Sequence, residues 1–124
     1  MLKKTFTYTD FNGNERTEDH YFNLTKTELV KMETSIAGGL VEMVNRITSE
    51  QDVPAIMKIF DEIIFKSYGV KSADGKRFEK SDKISTDFMQ TPAYDMLFME
   101  LVTNADAAAA FINGVIPSTS AANN

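Results

Sequence analysis

Residues 54–65, PAIMKIFDEIIF, constrain the fold more than any other stretch. Ile56, Ile59, Phe60, Ile63 and Ile64 recur at i, i+3, i+4, i+7 and i+8, one wide apolar stripe on a helix. Lys58, Asp61, Glu62 and Lys66 take the rest of its surface. Pro54 suits the first turn, where its missing N–H costs nothing. Fully burying five such side chains contributes roughly 1.5–3 kcal/mol each. The stripe therefore has to be covered by other amphipathic pieces of the chain.

Upstream, residues 2–22 read as a β-hairpin. Phe6 and Tyr8 alternate with Thr5, Thr7 and Thr9, a period of two rich in strand formers. Asn12-Gly13 is a strong two-residue turn signal, since both residues tolerate positive φ. That turn sets Tyr8 opposite Thr17, Phe6 opposite Asp19 and Lys4 opposite Tyr21. One face then carries Leu2, Phe6, Tyr8 and Tyr21 toward helices, and the other carries threonines with Arg16, Glu18 and His20 toward water. A lone hairpin is marginally stable, so it must pack on helices, pair with further strands or pair with another subunit.

Thr25-x-x-Glu28 reads as a capping box that opens a helix with a seam of Leu29, Met32 and Ile36. Gly38-Gly39 should break or bend it. A second helical run is predicted at 40–50 from Leu40, Met43, Val44 and Ile47, supported by the i,i+4 pair Glu42 and Arg46. The central helix is predicted to run to about Tyr68 and to end at Gly69 as a C-cap. Residues 70–80 carry Asp74-Gly75 and form either a small hairpin or an ordered loop. A short helix is expected at 81–90, with Ile84 and Phe88 four apart. Thr91-Pro92 is a restart, Thr91 as N-cap and Pro92 at the first helical position, and Tyr94, Leu97, Phe98 and Leu101 make its seam. Asn104 can cap a last helix at 105–113, closed by Gly114 and Pro117.

At 124 residues the chain has the size of one domain. The reading is a single α+β domain over 1–117, mainly α-helical with an N-terminal β-hairpin. The hairpin occupies 2–22, the helices fall within 25–114, and 118–124 is a flexible polar tail. The absence of cysteine excludes disulfides, thiolate metal sites and cysteine nucleophiles, and fits a reducing cytoplasm. A formal net charge of −5 favours solubility and argues against nucleic acid as the main partner. No apolar run approaches the ~20 residues needed to span a bilayer, and MLKKTFTYTD lacks the apolar core of a secretory signal. The expectation is a soluble intracellular protein with neither membrane nor nucleic acid as partner.

Candidates for chemistry are sparse, and no catalytic, cofactor-binding or metal-binding residue is assigned. His20 is the one histidine and reads as a surface strand residue. Asp61 and Glu62 are neighbours on a helix and point about 100° apart, so they do not face each other as an acid–base pair. Gly38-Gly39 lacks the spacing of a phosphate loop, and the stretch from Asp74 to Glu79 lacks the alternating ligands of an EF-hand.

Charge and methionine do carry a pattern. Six of the thirteen basic residues, Lys66, Lys71, Lys76, Arg77, Lys80 and Lys83, fall between 66 and 83 against three acidic ones. None follows Lys83, whereas Asp87, Asp95, Glu100 and Asp106 do. This asymmetry leaves room for self-association that salt would weaken, with an ordinary solvated loop as the plainer reading. Of the seven methionines, Met43 sits in a seam. Met57, Met96 and Met99 lie beside the seams, with core packing as the default and a soft partner-binding surface as the alternative.

Four stretches together carry a family resemblance: YTDFNGNERTEDHYFNLTKTEL at 8–29, AGGLVEMVNRI at 37–47, IFDEIIFKSYGVKSADGKRFEKS at 59–81 and FMELVTNADAAAAFINGVIP at 98–117. In order and over nearly the whole chain they resemble the tail assembly chaperones of long-tailed bacteriophages of Gram-positive hosts. The resemblance implies a non-enzymatic protein with no cofactor and no small-molecule substrate. It implies a protein of the cytoplasm of the infected or lysogenic host that binds and solubilises the tape measure protein, gives way to the tail tube protein, and is absent from the mature virion. Many such proteins are made in two lengths by a programmed ribosomal frameshift near the end of the gene, and 118–124 sits where such an extension would attach. No residue-level motif transfers. One rival reading is a structural protein of the tail, a tube, terminator or connector subunit, which needs more strand than the sequence offers. Another is a small hydrolase or transferase, which needs a clustered polar site.

Overall fold

In the computed structural model, residues 1–35, 39, 45 and 53–117 are described. Strands β1 (Leu2–Thr9) and β2 (Glu15–Phe22) pair antiparallel, as expected. Their turn is longer than the two-residue type. The Asp10 N–H donates to the Asn14 carbonyl at 2.8 Å and the Gly13 N–H to the Asp10 carbonyl at 3.0 Å. Phe11, Asn12 and Gly13 form the loop, with Gly13 at φ +84, the pattern of a three-residue hairpin with a glycine bulge. Asp10 is the cause. Its carboxylate accepts from the N–H groups of Asn12 and Asn14, each at 2.9 Å, and pairs with Arg16 Nε at 2.6 Å. The Arg16 hydrogen bond, with these two N–H groups, holds the Asp10 carboxyl below its usual range.

The extra loop residue moves the register by one. Tyr8 faces Arg16, Phe6 faces Glu18 and Lys4 faces His20. A slip of one exchanges the two faces of a strand. His20 and Phe22 therefore turn inward with Leu2, Phe6 and Tyr8, while Tyr21 lies on the outer face, where Lys71 Nζ sits 4.2 Å over its ring. The sequence-based placement of Tyr21 inside and His20 at the surface is thereby corrected.

Helix α1 (Lys26–Ser35) starts on the capping box: Glu28 N–H donates to Thr25 Oγ1 at 3.1 Å and Thr25 N–H to Glu28 Oε1 at 2.8 Å. Met32 is buried and Leu29 half-buried. Gly39 has φ +77 and is itself helical, whereas Ile36, Gly38, the helical run expected at 40–50 apart from Asn45, and the tail at 118–124 lie outside the described residues. Helix α2 (Val53–Ser67) buries Ile56, Phe60, Ile63 and Ile64 and half-buries Ile59, so the stripe is covered as the spacing predicts.

Helix α2 runs directly into strand β3 (Tyr68–Lys71), so Gly69 is a strand residue opposite Tyr21 and not a C-cap. A C-capping glycine would be left-handed; Gly69 serves instead a close approach. A Cβ there would stand 2.6 Å from Phe78 Cε2 and 2.9 Å from the Glu79 carbonyl oxygen. Residues 70–80 form the small hairpin, closed by strand β4 (Phe78–Glu79). Its turn has Gly75 at φ +76, Ser72 N–H donating to the Arg77 carbonyl at 2.8 Å, and Asp74 accepting from the Ser72 hydroxyl and the Lys76 N–H. The sheet order is β1-β2-β3-β4. The first hairpin thus finds its partner strand within the same chain.

Helix α3 (Asp82–Met89) is capped by Ser81, helix α4 (Pro92–Thr103) by Thr91 with Pro92 in the first turn, and helix α5 (Ala105–Val115) by Asn104. Helix α5 passes through Gly114, which was expected to end it. A Cβ at Gly114 would stand 2.9 Å from Leu2 Cδ1, so glycine here lets β1 lie against the helix. The Leu24 N–H bonds the Val115 carbonyl at 3.0 Å, tying the helix end to the exit of β2. Helices cover one face of the sheet, and the core between is aromatic. Phe22 meets Tyr68, Phe88 and Phe111 at ring separations of 5.6, 5.7 and 5.3 Å, and Tyr68 stacks on Phe88 at 4.2 Å. The protein is a small single-domain α+β fold, mainly helical, with an N-terminal antiparallel hairpin.

Gly69→Ala tests the close approach of the second hairpin. The new methyl group meets backbone as well as ring, so the substitution should destabilise the protein by about 1–3 kcal/mol. An unchanged denaturant midpoint would contradict this placement of β3 and β4.

Candidate interaction surface

The residues with chemical potential are engaged in the fold. The His20 ring lies 5.6 Å from Phe6, 5.1 Å from Phe88 and 6.3 Å from Tyr68, and the residue is 7% exposed. Its Nδ1 is buried with no hydrogen-bond partner. Burial lowers its pKa, against the opposing pull of Glu18 and Asp19. Asp61 accepts a hydrogen bond from the Tyr94 hydroxyl, which joins α2 to α4. Asp74 holds the second turn, and Glu79 pairs with Arg77 at 3.0 Å. Among the described residues no group of three or more His, Asp or Glu could hold a metal ion.

The basic segment is also largely engaged. Lys80 Nζ donates to the Asn23 carbonyl at 2.6 Å and to both Glu28 carboxylate oxygens at 2.8 Å. Burial raises the Glu28 pKa, but the Lys80 hydrogen bond and those of Thr25 outweigh it, and the net shift is downward. Lys80 thus clamps the end of β4 to the start of α1, a role with no local signature in the sequence because its partners lie 57 and 52 residues away. Lys83 pairs with Asp87 at 2.8 Å, one helical turn on. An opening of about 390 Å³ lies between α1, α2 and α3, lined by Glu28, Met32, Phe65, Lys66, Lys80 and Ser85 among others. Ser85 Oγ donates to the Phe65 carbonyl at 2.7 Å. The Glu28–Lys80 pair on its wall is already mutually satisfied.

Unsatisfied character lies on the helical surface. Met57, Met96 and Met99 are 40%, 44% and 51% exposed. The default reading of these three as core is overturned, and the surface alternative holds for their position; Met43 lies outside the described residues. On α4 the buried residues are Ala93, Leu97 and Leu101 at i, i+4 and i+8, followed round the helix by half-buried Tyr94, Phe98 and Val102. Met96 and Met99, at i and i+3, occupy the remaining face. Met57 stands one turn before Asp61 on the flank of α2 that faces α4. Asp95 and Glu100 are the neighbours of Met96 and Met99 in the chain, and Lys4 Nζ lies 2.7 Å from Glu100. The Tyr94 pKa is pushed well above its ordinary value by burial, the Asp61 hydrogen bond, and the charges of Asp61 and Asp95. The periodicity that marks the seam of α4 also marks this exposed face as its complement, so the signal was present in the sequence.

In comparison with known proteins, a family model described as phage tail assembly chaperone matches residues 1–123. No curated protein and no solved structure matches the chain.

Burial of neutral His20 has a measurable consequence. Its folded pKa lies below the unfolded value of about 6.5, so below that pH the unfolded chain binds the proton more readily. Stability is then full above about pH 6.5 and falls as the pH drops. The carboxylates held low by their partners, Asp10, Glu18, Glu28 and Asp74, lose their contribution only at more acid pH, below about 4.5. Denaturant midpoints at pH 7.5, 6.5 and 5.5 should decline for the wild type and stay flatter for His20→Phe. Equal slopes would contradict the burial of His20.

Proposed function

The chain belongs to the phage tail assembly chaperone family, and we propose that it acts by binding the tape measure protein and keeping it soluble while the tail is built. The observation that carries this reading is the match over residues 1–123, nearly the entire chain. A tape measure protein is long, helical and rich in apolar surface, so its chaperone must cover that surface reversibly. Exposed methionines on a helical face supply contacts that repack around differing side chains. A formal net charge of −5 helps keep a complex dispersed.

The same reading places the protein in the cytoplasm of the bacterial host, acts without catalysis or cofactor, and has it released when tail tube protein assembles on the tape measure. Among the described residues no helix is long and apolar enough to cross a membrane. The family match favours an assembly role over a structural one in the finished tail.

Co-expression tests the proposal. The tape measure protein of the same phage, produced alone, should be mostly insoluble, and producing it with this chain should move it into the soluble fraction as a complex of many copies. An unchanged soluble yield would overturn the proposal. Mass spectrometry of purified virions should find tape measure and tube proteins without this chain; stoichiometric amounts would assign it to the tail structure instead.

A further inference from the structure

We propose that two copies of the chain join edge to edge through β1, antiparallel and about a two-fold axis, so that their sheets become one. The inference goes beyond the proposed function and does not depend on the identity of the client.

The first observation is an edge left open. The order β1-β2-β3-β4 gives the sheet two edges. One is β4, only Phe78–Glu79, too short to template another strand. The other is β1, eight residues long, free of proline and in an unbroken ladder with β2. That ladder fixes what the edge offers. The Asp10 N–H bonds the Asn14 carbonyl, so by the alternation of an antiparallel pair Tyr8, Phe6, Lys4 and Leu2 bond to β2. Lys3, Thr5, Thr7 and Thr9 turn their N–H and C=O groups outward. All four residues are exposed, and among the described residues nothing bonds those backbone groups. Lysine is a usual guard of such an edge. Here Lys4 lies on the inner face, bonded to Glu100 at 2.7 Å, and residues 5–9 carry no charge.

The second observation identifies the occupant, because the edge is complementary to itself. Outward-bonding residues must oppose outward-bonding residues, so odd positions pair with odd positions. One antiparallel register uses all four. It sets Lys3 opposite the partner's Thr9 and Thr5 opposite the partner's Thr7, a favourable cross-strand pair, with Phe6 of each copy meeting at the axis. Thr9 in turn faces Glu15 within its own hairpin. Lys3 therefore stands in one row, on one face, with the partner's Thr9 and the partner's Glu15. Two strand spacings, about 10 Å, separate the backbones of Lys3 and that glutamate, within reach of their side chains. Within one copy the two stand at opposite ends of the hairpin, about 20 Å apart. Each is exposed, and neither side chain has an ion pair or hydrogen bond among the described residues. A parallel mate in register would set Lys3 against Lys3, whereas the antiparallel one matches the opposite charges twice.

The two-fold axis also closes the assembly. It uses both β1 edges and leaves only the short β4 strands at the ends, so a dimer forms and not a filament. The axis stands perpendicular to the sheet, which keeps the helices of both copies on one side.

Light scattering during size-exclusion chromatography, from low to high micromolar protein, reads the mass. The wild type should pass from monomer to dimer and go no further. Lys3→Glu and Glu15→Lys should each weaken the dimer about threefold to tenfold, since each sets like charges in the row twice. Lys3→Glu combined with Glu15→Lys should restore it, a coupling that groups this far apart in one copy show only across copies. Thr7→Pro removes an outward N–H and no bond to β2. It should weaken the dimer about a hundredfold, tenfold at each symmetric position. Circular dichroism checks the fold, and Thr5→Lys with Thr7→Lys, which gathers lysines at the axis, serves as a second variant with the same expected loss. Amide exchange followed by NMR locates the contact: Lys3, Thr5, Thr7 and Thr9 should slow as concentration rises, while Lys4, Phe6 and Tyr8 stay slow throughout.

A monomer at every concentration would overturn the proposal. So would a dimer that the combined charge reversal fails to restore, or one whose four edge amides stay fast. Slowing of those amides only when another protein is added would also overturn it, and would assign the edge to strand addition by that protein.

Discussion

The Asp10 carboxylate decides which side of β2 meets the helices. By accepting the N–H groups of Asn12 and Asn14 and pairing with Arg16, it draws three residues into the turn where two would otherwise suffice. The resulting register sends Phe22 and His20 inward. Phe22 is fully buried and touches the rings of Tyr68, Phe88 and Phe111, which come from β3, α3 and α5. Shifted by one residue, β2 would present Tyr21 and Asp19 to the helices, and that aromatic cluster would lose its centre. A local carboxylate thus fixes a long-range packing arrangement, and the helices are placed by what the sheet shows them.

Signals carried by consecutive residues were legible in the sequence. The capping box Thr25-x-x-Glu28, the caps Thr91 and Asn104, and the isoleucine stripe of α2 stand where their spacing put them. Features that arise where separate elements meet were not. Gly69 and Gly114 looked like helix stops, yet each is small because a side chain from elsewhere, Phe78 or Leu2, lies against it. Lys80 gave no hint of its bond to Glu28 across 52 residues. His20 was misplaced because the turn was counted as two residues, and parity then assigned it to solvent. The methionine face was legible in part: the seam of α4 implied its complement, but exposure had to be seen.

The division of labour in the molecule follows from this arrangement. One side of the sheet and the inner faces of α1 to α5 are committed to a single aromatic and aliphatic core. The basic residues that could have formed a free cationic patch are largely tied down, Lys80 to Glu28 and Asn23, Lys83 to Asp87, Arg77 to Glu79. Among the described residues, the large apolar side chains left exposed on α2 and α4 are Met57, Met96 and Met99. An assembly chaperone must hold a client firmly enough to prevent aggregation and loosely enough to be displaced.

Hydrogen–deuterium exchange on the chain alone and in its purified complex with the tape measure protein is the most direct measurement. Bound client should slow exchange in part of the chain relative to the chain alone. Identical exchange in the two samples would contradict binding of that client.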